Sequence, residues 1–119
     1  MPSSLSERDG AAGADMLVNA QRAVDFVTGF TSSTFAADER THFEVIRCLE
    51  IISEASRRLS AGTKARYSDV PWRQIAGAGN VYRHGYDSVT LDIVWLTVHD
   101  ELPVLIAAGR AAPVRMSDP

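Results

Sequence analysis

The chain has 119 residues, of which 45% are hydrophobic and 23% charged, enough to build one core and too short for two domains. That composition excludes a disordered chain, a collagen and a coiled-coil rod, and a single cysteine, Cys48, excludes an intramolecular disulfide or a cysteine-rich zinc site. Fifteen acidic side chains against twelve basic ones give a net charge of −3, which argues against strong non-specific nucleic-acid binding.

The N-terminal stretch to Gly13 is rich in Ser, Gly and Ala and is expected to be a flexible tail. Met16, Leu17, Ala20, Val24 and Val27 then recur at three- and four-residue steps, which predicts an amphipathic helix over 14–29 ended by Gly29. Thr31 to Thr34 offers N-cap residues for a short helix over 34–39. Val45, Ile46, Leu49, Ile52, Ser53, Ser56 and Leu59 predict a long second helix over 41–59, stopped by Ser60 to Thr63. One helical turn is expected within 64–70. Pro71 then stands at a favoured first position of the next element, with Asp69 as a capping candidate.

Residues 72–86 align Trp72, Ile75, Gly79, Tyr82 and Tyr86 on one stripe but also contain Gly77, Gly79 and Gly85. Each glycine inside a helix costs about 1 kcal/mol relative to alanine, so the helix is broken here or a ligand or second backbone comes close. Asp87 to Thr90 reads as a capped turn. Leu91, Val94, Trp95, Val98, Leu102 and Leu105 form a last helix over 90–107, in which Pro103 imposes a kink or a restart. The expected fold is an all-α, up-and-down bundle of four main helices occupying 14–107, followed by a flexible tail over 108–119. No stretch has the length of a membrane span or the layout of a secretory signal, which predicts a cytoplasmic protein without membrane contact.

Charge is unevenly placed. Residues 40–83 hold eight basic and four acidic side chains, whereas the rest of the chain holds four basic and eleven acidic. A basic face is a weak hint of a phosphate-bearing partner; ordinary solvated helix surface is the favoured reading. Glu50 and Glu54, one turn apart, either support a polar cleft or pair with Arg57 and Arg58. The three histidines are far apart in sequence, so no metal site and no cofactor are expected. The densest chemistry lies in Asn80-Val-Tyr-Arg-His-Gly-Tyr86, which sets an arginine fork (Arg83), a group titrating near neutrality (His84) and two phenols beside a glycine.

Pro71-Trp-Arg-Gln-Ile-Ala-Gly77, then Asn80 and His84-Gly-Tyr86, then Asp92-Ile-Val-Trp95 and Asp100-Glu-Leu-Pro103, together with Leu49-Glu-Ile-Ile-Ser-Glu-Ala55, resemble the HepT-like family. These are HEPN-superfamily toxins of prokaryotic toxin–antitoxin pairs, and the resemblance covers about residues 14–107. It implies a HEPN-like symmetric homodimer and a metal-independent endoribonuclease in a type VII-like system. The family hallmark is an Arg, four variable residues, a His, one residue and a Tyr. In the family the Arg and His form the ribonuclease site, and a minimal nucleotidyltransferase antitoxin silences the toxin by transferring AMP to the Tyr. His84 and Tyr86 match; the arginine position is Gly79, which brings no charge. Family members read Gly-x-Arg-Asn where this chain reads Gly77-Ala-Gly-Asn80.

Three readings follow. One is a HepT-like ribonuclease, impaired by Gly79, with His84 as base or acid and Asn80, one turn before it, orienting the imidazole or binding a phosphate oxygen. Arg83, about 40° from position 79 on an ideal helix, either substitutes for the missing arginine or is plain surface. Another is a non-catalytic dimer modified at Tyr86 by its nucleotidyltransferase partner. The third is a helical assembly module without chemistry. Dimerisation is expected through residues 43–59 and 72–86, with Ser53, Ser56 and Gly77 permitting close approach.

Overall fold

The computed structural model describes residues 2–78 and 87–111, with side chains placed for 8–78, 87 and 89–110. Among these residues it is entirely helical, without a strand. Seven α-helices follow in order: α1 (Pro2–Val27), α2 (Ser32–Ala37), α3 (Glu39–Arg58), α4 (Ala61–Arg66), α5 (Trp72–Ala78), α6 (Ser88–Leu96) and α7 (Leu102–Ala111). A π-helical turn, Thr97–Glu101, joins α6 to α7.

Helices α1 and α3 form the principal packed pair. Ala12, Met16, Ala20, Ala23 and Val27 of α1 are buried at steps of three and four, and Val45, Leu49, Ile52, Ala55 and Ser56 answer from α3. Alanines and serines at these positions let two long helices approach closely. Gly29 stops α1 with φ +87°, a conformation that costs a side-chain-bearing residue roughly 1–2 kcal/mol. Thr31 and Thr34 then cap α2 reciprocally, and Asp38 caps α3 through Thr41 N–H at 3.0 Å.

Helix α1 starts at Pro2, well before the expected residue 14. Asp9 explains the extension. Its carboxylate, 6% exposed, accepts hydrogen bonds from Ser60 N (3.1 Å), Ser60 Oγ (2.8 Å) and the Thr63 hydroxyl. Ser60 in turn caps α4 through Thr63 N–H. The segment read as a stop after α3 is therefore the start of α4, held by a residue fifty positions upstream. Burial of Asp9 opposes ionisation, but hydrogen bonds from Thr63 and Ser60 and the charge of Arg66 outweigh it and hold its pKa below the usual carboxylate value. A lowered folded-state pKa stabilises above the unfolded value, and the contribution is lost as pH falls through the folded one. Asp9→Asn is expected to cost about 2 kcal/mol at pH 7, read from the urea midpoint, with the cost shrinking toward pH 3.

The last helix departs from a simple kink. The Leu102 N–H reaches back five residues to the Thr97 carbonyl, so the π-turn absorbs the disruption just before Pro103, which sits in the first turn of α7. Leu91, Val94, Val98, Leu102 and Leu105 keep one buried face across the junction. Helix α7 continues to Ala111, beyond the expected end at 107, because buried Gly109 lies directly against Leu17 of α1, where a side chain would collide. Residues 112–119 of the expected tail lie outside the described residues.

Candidate functional site

Helix α5 leads into the segment where the sequence concentrates its chemistry, and both of its ends are tied down. At its start the Trp72 indole N–H is shared between the carbonyls of Lys64 and Tyr67, each at 3.1 Å. The Pro71 carbonyl accepts the first helical bond from Ile75, so the proline stands one position before the helix rather than within it. Ile75 and Ala78 are buried. The last carbonyls of a helix lack intrahelical donors. Here the Ala76 carbonyl receives Ser53 Oγ at 2.6 Å and Arg57 Nη2 at 3.3 Å, both from α3. Ser56 Oγ, one turn along, donates to Ser53 O at 2.7 Å.

On the far side, the Asp87 carboxylate accepts from Thr90 N at 2.8 Å and starts α6. The predicted site residues Gly79, Asn80, Arg83, His84 and Tyr86, with Tyr82, all lie outside the described residues, bounded by these two anchored ends. The serines expected to ease a dimer contact do otherwise: Ser53 and Ser56 are fully buried within one chain, where Ser53 fastens α3 to α5 and Ser56 bonds back to α3 itself. Gly77 is exposed, with open space where a side chain would stand.

The other histidines pack against aromatic rings. His42 is buried edge-on to Phe35, and Phe35 lies 5.3 Å from Trp95. His99 stacks on Trp95 with ring centroids 3.9 Å apart, and its Nδ1 is 2.8 Å from the Trp95 carbonyl. The chain Phe43–His42–Phe35–Trp95–His99 thus knits α2, α3 and α6 together. Among the described residues no group of three His, Cys, Asp or Glu side chains is placed to hold a metal ion. The Cys48 thiol is buried, which pushes its pKa up and keeps it protonated.

The paired acids of α3 take the surface role. Glu50 pairs with Arg47 at 3.1 Å, and Glu54 pairs with Arg58 at 3.5 Å, which also meets Asp15 at 3.0 Å. Arg57 and Arg73 have no carboxylate partner among the described residues. Arg57 was expected only as an ion-pair partner for Glu50 or Glu54; its four-residue spacing from Ser53 is visible in the sequence, but the carbonyl that both reach lies on another helix.

Glu101, in the π-turn, has one carboxylate oxygen buried without a hydrogen-bond partner among the described residues. Burial, and then the adjacent charge of Asp100, raises its pKa above the usual value. A raised folded-state pKa stabilises below the unfolded value, and that contribution is lost as pH rises through the folded one. Glu101→Gln is expected to raise the melting temperature at pH 7 and to give no gain near pH 3.5, where both side chains are neutral.

The sequence that builds these helices matches a recognised family of ribonucleases. A family model described as "Ribonuclease HepT-like" matches residues 16–111. The chain is 34% identical over 95 residues to a protein of Thermococcus cleftensis named "Probable ribonuclease HepT", covering 76% of this chain and 86% of the relative. It is 30% identical over 100 residues to one of several proteins of Methanocaldococcus jannaschii named "Putative RNase", covering 83% and 92%. A "Putative RNase" of Caldanaerobacter subterraneus is 34% identical over 82 residues, covering 69% and 73%. The chain belongs to the HepT-like ribonuclease family of the HEPN superfamily, consistent with a toxin–antitoxin family. No solved structure matches it. No helix among the described residues is long and apolar enough to cross a membrane.

Proposed function

We propose that this chain is the toxin of a toxin–antitoxin pair and cleaves RNA without a metal ion, at a rate reduced by Gly79. The observation that carries this reading is the family match over residues 16–111, which spans the His84-Gly-Tyr86 signature and both anchored helices beside it. In the reaction the 2′-oxygen of a ribose bonds to the adjacent phosphorus and the bond to the 5′-oxygen breaks, leaving a 2′,3′-cyclic phosphate and a 5′-hydroxyl. A base takes the 2′ proton, an acid protonates the departing oxygen, and a cation offsets the charge developing on phosphorus. His84 is the base or the acid, and Asn80 orients it or binds a phosphate oxygen. On one ideal helix positions 79 and 84 stand about 140° apart, so a two-fold cleft between copies, drawing on both chains, supplies convergence.

The reading is tested by incubating RNA with the chain in EDTA. The expected result is slow cleavage to cyclic-phosphate ends that His84→Ala abolishes; cleavage that needs magnesium and survives His84→Ala would overturn it. Sedimentation is expected to show a dimer at micromolar concentration.

Gly79 itself favours a second reading, in which modification is the main event. The Tyr86 phenol oxygen attacks the α-phosphate of ATP held by a partner nucleotidyltransferase, and pyrophosphate leaves. Intact mass is expected to rise by one or more AMP units when partner and ATP are present, and not in Tyr86→Phe. An unchanged mass with a partner active on another substrate would exclude it.

A further inference from the structure

We propose that the π-turn Thr97–Glu101 is a pH-sensitive joint, closed while the Glu101 carboxyl is neutral and opening on its α7 side when that carboxyl gives its proton to water. The inference is independent of the ribonuclease reading; it concerns how firmly α6 and α7 are held as one unit.

Three observations carry it. First, the carboxylate: one Glu101 oxygen is buried and, among the described residues, has no hydrogen-bond partner. An ionised oxygen there has lost its water and gained nothing in return, whereas a neutral carboxyl forgoes far less. Second, the turn is anchored on one side only. Toward α6, the Thr97 hydroxyl donates to the Ile93 carbonyl at 2.8 Å, and His99 Nδ1 lies 2.8 Å from the Trp95 carbonyl. Toward α7, the ladder has slipped to the five-residue bond from Leu102 N–H to the Thr97 carbonyl. Pro103 has no N–H with which to make the next bond. Glu101 directly precedes these two residues and so stands at the weakest rung. Third, packing: Val98 and Leu102 on either side of Glu101 are almost wholly buried, and the turn packs against α1 and α5. Room for water at the buried oxygen therefore comes from the turn giving way at its missing rung.

The elements packed against the turn bring Arg8, Asp9, Asp15, Arg22 and Asp25 on α1, Arg73 on α5, Asp92 on α6 and Arg110 on α7; His99 and Asp100 belong to the turn itself. Among the described residues the one side-chain charge that bears on Glu101 is that of Asp100. Burial first, and then Asp100, raises the Glu101 pKa, and no cation offsets them. A raised folded-state pKa favours the closed turn most below the unfolded value, and that advantage is lost as pH rises through the folded one.

The test is amide hydrogen exchange of the full chain at about pH 4.5 and about pH 7.5, corrected for intrinsic rates. Protection of the amides of residues 98–102 is expected to fall several-fold at the higher pH, while Val45 to Ile52 of α3 keep theirs. In Glu101→Gln, which cannot ionise, protection at 98–102 is expected to be the same at both. Asp100→Asn is expected to keep the fall and move its midpoint to lower pH, and His99→Gln to keep it, which separates Glu101 from the turn's other titratable groups. In the parent chain, a carbon-13 titration is expected to place the Glu101 carboxyl above the other glutamates. An equal fall in Glu101→Gln, no fall in the parent, or a fall shared by α3 would overturn the inference. So would an ordinary titration of the Glu101 carboxyl.

Discussion

Gly79→Arg is expected to raise metal-independent RNA cleavage about tenfold to a hundredfold, and His84→Ala in that background to return it to the uncatalysed level. The physical reason is the charge that accumulates on the phosphate oxygens as the 2′-oxygen bonds to phosphorus. A single preorganised donor aimed at such charge is commonly worth about a hundredfold or more. On the proposed ribonuclease reading, glycine offers only its backbone N–H to that charge. The assay is single-turnover cleavage in EDTA, with cyclic-phosphate ends as the product signature. No gain from Gly79→Arg would mean that position 79 is not where this chain needs charge, and modification at Tyr86 would become the reading to pursue.

Phe35→Ala is expected to cost about 3–5 kcal/mol of stability, measured as a fall in the urea midpoint. Phe35 is completely buried although α2 is only six residues long. It meets His42 of α3 and Trp95 of α6, so one ring joins three elements. Removing it opens a cavity among helices whose other side chains are held by their own backbones and cannot collapse inward. Helix α6, which follows the signature segment in sequence, rests on the same contacts, so the variant is also expected to lose cleavage at temperatures where it remains largely folded. Phe35→Leu, which keeps most of the volume, is expected to cost less than half as much.

The helical character of the chain was legible in its spacing. Met16, Ala20 and Val27, or Val45, Leu49 and Ile52, mark buried faces at a helical period because only one side of each helix meets the core. Gly29 and the capping residues Thr31 and Asp87 were legible too, since caps are local interactions within a few residues. The order and spacing from Pro71 to Pro103 carried the family, which the match over 16–111 bears out.

What the sequence by itself determined, then, is the set of helices, most of their stops and the family to which the chain belongs. These follow from periodicity, local capping and motif order, all of which operate over short separations along the chain. Only the tertiary structure decided what the polar residues do. Asp9 looked like part of a tail and is buried because Ser60 and Thr63, more than fifty positions away, need an acceptor. Ser53 looked like a small residue for close approach between copies and instead fastens the end of α5. Arg57 and Arg58 are adjacent in sequence, yet one is consumed by Asp15 and Glu54 while the other is left beside Ala76. Hydrogen bonds and ion pairs act over about 3 Å in space regardless of separation in sequence, so their partners are fixed by how the helices pack and not by the order of residues along any one of them.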